Sequence, residues 1–151
     1  MRVILDTNVL IDILQNRMPW AKNAVVIFRA AAGNQIEGCI TTKQIADLHF
    51  FARKMFKGEE NTDAKARQVI SKLMELFGLI DTLASDCRDA LGFDNNDYED
   101  AILIASAARE KIDCIITRNT EHFRNSSVPV YTPDAFTAIL TSSSSDAEDE
   151  E

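Results

Sequence analysis

Along this chain apolar residues occur in short unbroken runs and in longer stretches where they recur every third or fourth position. The first run, Arg2-Val3-Ile4-Leu5, predicts a buried strand, and Leu10, Ile11 and Leu14 then share one face of a helix over about 7–15. Pro19 interrupts, a second helix is expected over 20–32, and Gly33-Asn34 stops it. Glu37 to Ile40 predict a short strand. Thr41 or Thr42 caps the helix that follows, which runs to about Lys57 with Ile45, Leu48, Phe51, Ala52 and Met55 on its apolar side. Gly58 and Asn61 break that pattern, and Thr62 caps a helix in which Val69, Ile70, Leu73, Met74 and Phe77 recur at helical steps before Gly78 ends it.

In the second half, Leu79-Ile80-Asp81 predicts a strand, Ser85 opens a short helix and 93–96 form a polar turn. A helix is expected over 97–110 with Ala101, Ile102, Ile104, Ala105 and Ala108 buried. Ile112 to Thr117 are nearly uniformly apolar, as a parallel strand covered on both faces should be. A loop passes through Asn119, Val128 to Tyr131 predict the last strand, and Thr132-Pro133 reads as a cap followed by proline at the first helical position. Strands alternating with helices imply an α/β fold, a parallel sheet covered on both sides. The long helix pair between the second and third strands has room to stand off the sheet as a clamp or dimer surface.

Composition narrows the class. A chain of 151 residues, 46% of them hydrophobic, fits one compact domain, expected over 1–141. With no apolar run of membrane-spanning length and a strand directly after Met1, a soluble, cytoplasmic protein without a membrane partner is expected. Cys39, Cys87 and Cys114 lie outside any ligand or disulfide spacing and read as buried small residues. The two histidines, His49 and His122, exclude a metal centre built mainly of imidazole and read as surface or packing residues. The net charge of −8 owes five acids to residues 142–151, a Ser/Asp/Glu tail expected to be disordered; without it 19 acids face 16 bases. That balance argues against a purely electrostatic nucleic-acid binder but leaves room for a nuclease, whose centre must gather carboxylates. Arg53, Lys54, Lys57, Lys65, Arg67, Arg118 and Arg124 remain to contact phosphates.

Parallel topology brings the carboxyl ends of the first, second and fourth strands to one edge of the sheet, where ligands bind in open α/β folds. Asp6, the Thr41-Thr42 turn leading to Asp47, and the Thr117-Arg118-Asn119 turn lie there, joined by Asp97 and Asp100, which a spacing of three puts on one side of their helix. Acids crowded this way need protons, bases or cations to be stable. With no His or Cys expected nearby, the all-oxygen set suits Mg²⁺ or Mn²⁺, which can activate water at a phosphodiester. Each acid also has a structural explanation. Asp6 caps the helix after it, Asp97 and Asp100 complement a helix dipole, and Asp47 is an exposed helix acid. Glu99 lies off the shared face and reads as solvated, and Asp81, Asp86, Asp89 and Asp113 read as loop and cap residues.

Asp6-Thr7-Asn8-Val9-Leu10, the Thr41-Thr42 turn with Asp47, Asp97-Tyr98-Glu99-Asp100-Ala101, and Ile115-Ile116-Thr117-Arg118-Asn119 through Phe123 together resemble the PIN-domain family, in order and spacing, from residue 2 to about 140. The resemblance implies a three-layer α/β/α sandwich with a five-stranded parallel sheet and a divalent-metal-dependent ribonuclease. Asp6 and Asp100 would hold the metal, Asp97 and Asp47 would complete or orient its shell, and Asn8, Thr42, Thr117 and Asn119 would support the carboxylates, with Arg118 and Arg53 on the RNA. Many small members are toxins of toxin-antitoxin pairs, which implies an antitoxin protein as partner and a homodimer. Two positions depart from the family: Asp47 stands where Glu is usual and Asn119 where Asp is frequent, which leaves one ion or two open. The competing reading is a catalytically weak PIN-like module that acts by binding protein or RNA. An aspartyl phosphatase would want an acid at Asn8, and a receiver domain a late Lys that is missing.

Overall fold

A computed structural model describes residues 1–148. Five strands, β1 (Arg2–Leu5), β2 (Glu37–Thr41), β3 (Gly78–Ile80), β4 (Cys114–Ile116) and β5 (Val130–Tyr131), form one sheet in the order β3-β2-β1-β4-β5, every neighbouring pair parallel. The helices are α1 (Thr7–Leu14), α2 (Ala21–Ala32), α3 (Thr42–Met55), α4 (Thr62–Leu76), α5 (Ala84–Ala90), α6 (Tyr98–Arg109) and α7 (Pro133–Glu148).

The alternation of side chains along β1 shows how the layers form. Val3 and Leu5 enter a core cluster with residues of α1, α2, α3, α4 and α7, whereas Ile4 points the other way into a cluster with Leu103, Ile104 and Ala107 of α6. Both faces of the sheet are therefore covered, giving the expected three-layer α/β/α sandwich, and β1 is buried on both sides because it lies at the centre. At Gly38 of β2 an added Cβ would lie 2.7 Å from the Phe77 ring, so the end of α4 can seat there only against glycine.

Several boundaries differ from expectation. β4 and β5 are shorter than 112–117 and 128–131, because pairing is confined to the register Ile115↔Val130 and Ile116↔Tyr131. Gly78 opens β3 rather than merely ending a helix, and Asn61, in left-handed conformation, precedes α4 without a side-chain cap. α6 is turned relative to the expected face: Leu103 and Ala107 are buried while Ala108 is exposed and Ile102 half-buried, since α5 covers a second side of the helix. Residues 142–148, expected to be disordered, continue α7, where the Ser142, Ser143, Ser144 and Ser145 hydroxyls donate to carbonyls three or four residues earlier. No glycine or proline follows Pro133 to end the helix. Residues 149–151 of the expected tail lie outside the described residues.

Candidate metal centre

Strand order 3-2-1-4-5 places the reversal of strand order between β1 and β4, the crevice where open α/β sheets bind ligands. Asp6 leaves β1 at this point, its backbone N–H donating to Ile116 of β4 (2.9 Å). Its carboxylate has two tasks. Oδ1 caps α1 by accepting from the Thr7 N–H (2.7 Å), and Oδ2 accepts from the Thr117 hydroxyl (2.8 Å) and the Asn8 amide (3.4 Å). Asn8 also donates to Thr117 Oγ1 (3.3 Å) and accepts from the Arg118 N–H (3.3 Å), so the ends of β1 and β4 are sewn together around Asp6. Burial pushes the Asp6 carboxyl above its ordinary range, against the opposing pull of Thr117, Thr7, Lys43 and His122.

The second wall is the start of α6. Asp97 caps it, Oδ1 accepting from the Asp100 N–H (3.1 Å), so the residue expected as a ligand is also the helix cap. Asp100 is raised to about 6, first by burial and then by the like charges of Asp6 and Asp97. Its Oδ2 lies 3.0 Å from Nδ1 of His122, and ligand atoms of Asp97, Asp100 and His122 all fall within 4.8 Å of one another. The expectation that no imidazole stands near the acids is therefore corrected: the turn Thr120–Phe123 carries His122 back to α6. Asn95 fastens the arrangement, its amide donating to the carbonyls of both Asp97 (2.9 Å) and His122 (3.3 Å). The other histidine also has a partner, His49 Nε2 lying 3.0 Å from Asp63 Oδ1 between α3 and α4.

Asp6 and Asp100 face a cleft of about 180 Å³ that Thr7, Lys43, Gln44, Asp47, Thr82 and Glu99 also line. At about 30 Å³ per water it has room for a hydrated cation or a phosphate. Asp47 reaches this cleft, yet its Oδ2 is bound by Lys43 Nζ at 2.7 Å, and the same ammonium lies 3.3 Å from Glu99 Oε2. Burial works to lower the Lys43 pKa, but the two acids outweigh it and raise it, so the ammonium stays charged. Glu99, expected off the site, thus stands at its rim. Gln44 locks the floor, donating to the Leu5 carbonyl (2.8 Å) and accepting from Thr41 N–H (2.8 Å).

Other expected residues sit elsewhere. The Thr42 hydroxyl accepts from Thr82 N–H (2.9 Å) at the exit of β3 and touches no acid of the centre. Asn119 is exposed and acts through its backbone, its N–H donating to Thr117 Oγ1 (3.0 Å) and its carbonyl accepting from His122 N–H (3.0 Å). The Arg118 guanidinium pairs with buried Asp12 (2.6 and 3.2 Å) and stacks 4.2 Å from the Trp20 ring. Arg53 is exposed on α3 beside Phe50, Lys54 and Lys57. Sequence reasoning missed Lys43, Gln44, Asn95 and His122. Two of them carried a local signal, Lys43 by its i,i+4 spacing to Asp47 and Gln44 by its capping-box spacing from Thr41.

A sequence profile described as the PIN domain matches residues 2–121. No curated protein matches the chain in sequence. Solved structures similar in fold include FitAcB from Neisseria gonorrhoeae (16% identity, TM-score 0.67, 87% of this chain and 97% of that one). A toxin-antitoxin complex from Klebsiella pneumoniae (22%, 0.62, 87% and 97%) and VapBC-1 from nontypeable Haemophilus influenzae (18%, 0.61, 89% and 99%) are also similar.

Proposed function

The chain belongs to the PIN-domain family, and from that premise we propose that it is a divalent-metal-dependent endoribonuclease acting as the toxin of a toxin-antitoxin pair. The observation that carries the proposal is the gathering of Asp6, Asp97 and Asp100 at the β1/β4 crevice, where burial raises Asp6, and burial followed by the like charges of Asp6 and Asp97 raises Asp100. Such a set is at odds with itself unless a cation is shared, and the carboxylate oxygens around a cleft of hydrated-ion size fit Mg²⁺ or Mn²⁺. Asp6, Asp97 and Asp100 would hold the ion. When bound, it supplies activation of water and neutralisation of charge at the scissile phosphate.

The remaining chemistry belongs to the chain. Thr117 and Asn8 aim the Asp6 carboxylate by donating to Oδ2, as outer partners of a metal ligand do. Gln44 holds the backbone of Leu5 so that Asp6 keeps its position at the strand end. Lys43 places a positive charge at the mouth of the cleft, suited to a phosphate oxygen, and restrains Asp47. The exposed Arg53 and Lys54 on α3, with Lys57 just beyond its end, extend that positive charge for the RNA backbone. The similar solved structure that is a toxin-antitoxin complex supports an antitoxin partner for this chain, and the proposal extends to a homodimer.

Purified protein incubated with single-stranded and structured RNA is expected to cleave only with Mn²⁺ or Mg²⁺ present. Asp6→Asn and Asp100→Asn should lose cleavage by at least about 100-fold while keeping the native circular dichroism spectrum. Either variant cutting at the normal rate under matched metal would sink the assignment. The ion pair that Lys43 makes with Asp47 favours a second reading, a catalytically weak binding module. Calorimetry separates the two, because that module would take up neither Mg²⁺ nor Mn²⁺ at millimolar concentration.

A further inference from the structure

We propose that His122 is itself a ligand of the cation, so that the centre offers one imidazole nitrogen beside its carboxylates and selects Mn²⁺ over Mg²⁺. The inference rests on the reading of the acidic centre as a cation site. Its basis is geometry that the linear order of residues hides, since His122 lies 22 positions beyond Asp100.

Three observations support it. The first is spacing. Nδ1 of His122 and Oδ2 of Asp100 are 3.0 Å apart. Neighbouring ligands on an octahedral ion with bonds of about 2.1 Å are separated by about 3.0 Å, so the two atoms already stand at the two ends of one coordination edge. The second is placement. Asn95 ties the backbone of His122 to that of Asp97, the His122 N–H is held by Asn119, and the next residue, Phe123, is buried in the core beneath α6. The ring is thus delivered by an anchored turn rather than a loose loop. The third is access: the His122 side chain is 44% exposed, so an ion arrives with part of its water shell in place.

Donor chemistry then sets the preference. Mg²⁺ is a hard ion that takes oxygen ligands and keeps its waters, whereas first-row ions from Mn²⁺ onward accept imidazole increasingly well. Among the described residues the remaining histidine, His49, is paired with Asp63 on α3 and α4 and stands outside the ligand cluster.

The test uses tag-free, metal-stripped full-length protein loaded with less than one equivalent of Mn²⁺ and read by pulsed electron paramagnetic resonance. Directly bound imidazole shows as ¹⁴N coupling to the manganese. The coupling is expected in the unaltered protein and in His49→Gln, and should vanish in His122→Gln. Growth with ¹⁵N-labelled histidine should convert it to the ¹⁵N pattern, a control that needs no variant. Calorimetry on the same samples should show Mn²⁺ binding weakened about tenfold or more in His122→Gln, with Mg²⁺ binding changed less. His122→Asp should restore Mn²⁺ binding without nitrogen coupling and narrow the gap between the two ions. Manganese that binds without nitrogen coupling, or with coupling that survives in His122→Gln, overturns the proposal and leaves an all-oxygen cation site standing. Failure of the unaltered protein to bind Mn²⁺ at millimolar concentration overturns both.

Discussion

Arg118 shows how far a residue's role depends on what the fold sets beside it. As a basic side chain in the turn after β4 it reads as a phosphate contact, yet its Nε and Nη2 are taken by Asp12, whose side chain is 1% exposed. The pair ties the turn carrying Thr117 to α1, which carries Asn8, and Trp20 covers the guanidinium from outside. Asp12→Ala leaves that guanidinium without its carboxylate at a partly buried site, and the expected cost is about 3 kcal/mol in a denaturant melt. Arg118→Met should likewise lower the melting temperature but leave RNA affinity and its salt dependence unchanged. A salt slope reduced by about one in an RNA-binding titration would show that Arg118 does contact phosphate. The same contrast applies to Asp6 and Asp97. Reading each as either a cap or a ligand poses a false choice, because a carboxylate has two oxygens and the cap uses only one.

At the scale of elements, α5 and α6 account for what periodicity misjudged. An amphipathic helix on a sheet buries one stripe, but α6 also lies against α5, and buried Ser106 gives its hydroxyl to buried Asp86 (2.8 Å). Asp86 reads as a loop acid in sequence; in the fold it caps α5 through the Leu83 N–H (2.9 Å) and pairs with Arg109 (3.0 Å). Burial acts to raise its pKa, but the Arg109 guanidinium, the Leu83 N–H and the Ser106 hydroxyl outweigh it and hold the carboxyl below 3.8. A depressed folded-state pKa means that the unfolded chain binds more protons at acid pH. The stabilisation from Asp86 is therefore complete above about pH 4 to 5 and is lost as pH falls through the folded-state value. Asp86→Asn should be less stable at pH 7 and show a flatter loss of stability between pH 5 and 3, read from urea melts at each pH. An acid limb as steep as in the unaltered protein would remove Asp86 from the account.

For the whole molecule the charge is unevenly placed. Residues 142–151 carry five acids and no base, and those from Ser142 to Asp146 are exposed along the end of α7. Removing residues 142–151 should change unfolding free energy by no more than about 0.5 kcal/mol, as exposed surface does. It should also strengthen RNA retention at low salt, because the net charge rises from −8 to −3. Filter binding across a salt series checks the second effect, and unchanged retention would show that the acids act on neither the protein's field nor its substrate. No helix among the described residues is long and apolar enough to cross a membrane. By itself the sequence determined the alternation of strands and helices, the parallel sheet, the strand end bearing Asp6 and the helix start bearing Asp97 and Asp100, because periodicity and capping act over a few residues. The tertiary structure alone decided that His122 joins Asp100, that Arg118 turns inward to Asp12 and that Lys43 claims Asp47 and Glu99. Two of these meetings, His122 with Asp100 and Arg118 with Asp12, join residues 22 and 106 positions apart. Contacts over such separations follow from strand order and from the path of a turn, and no local pattern of residues records either.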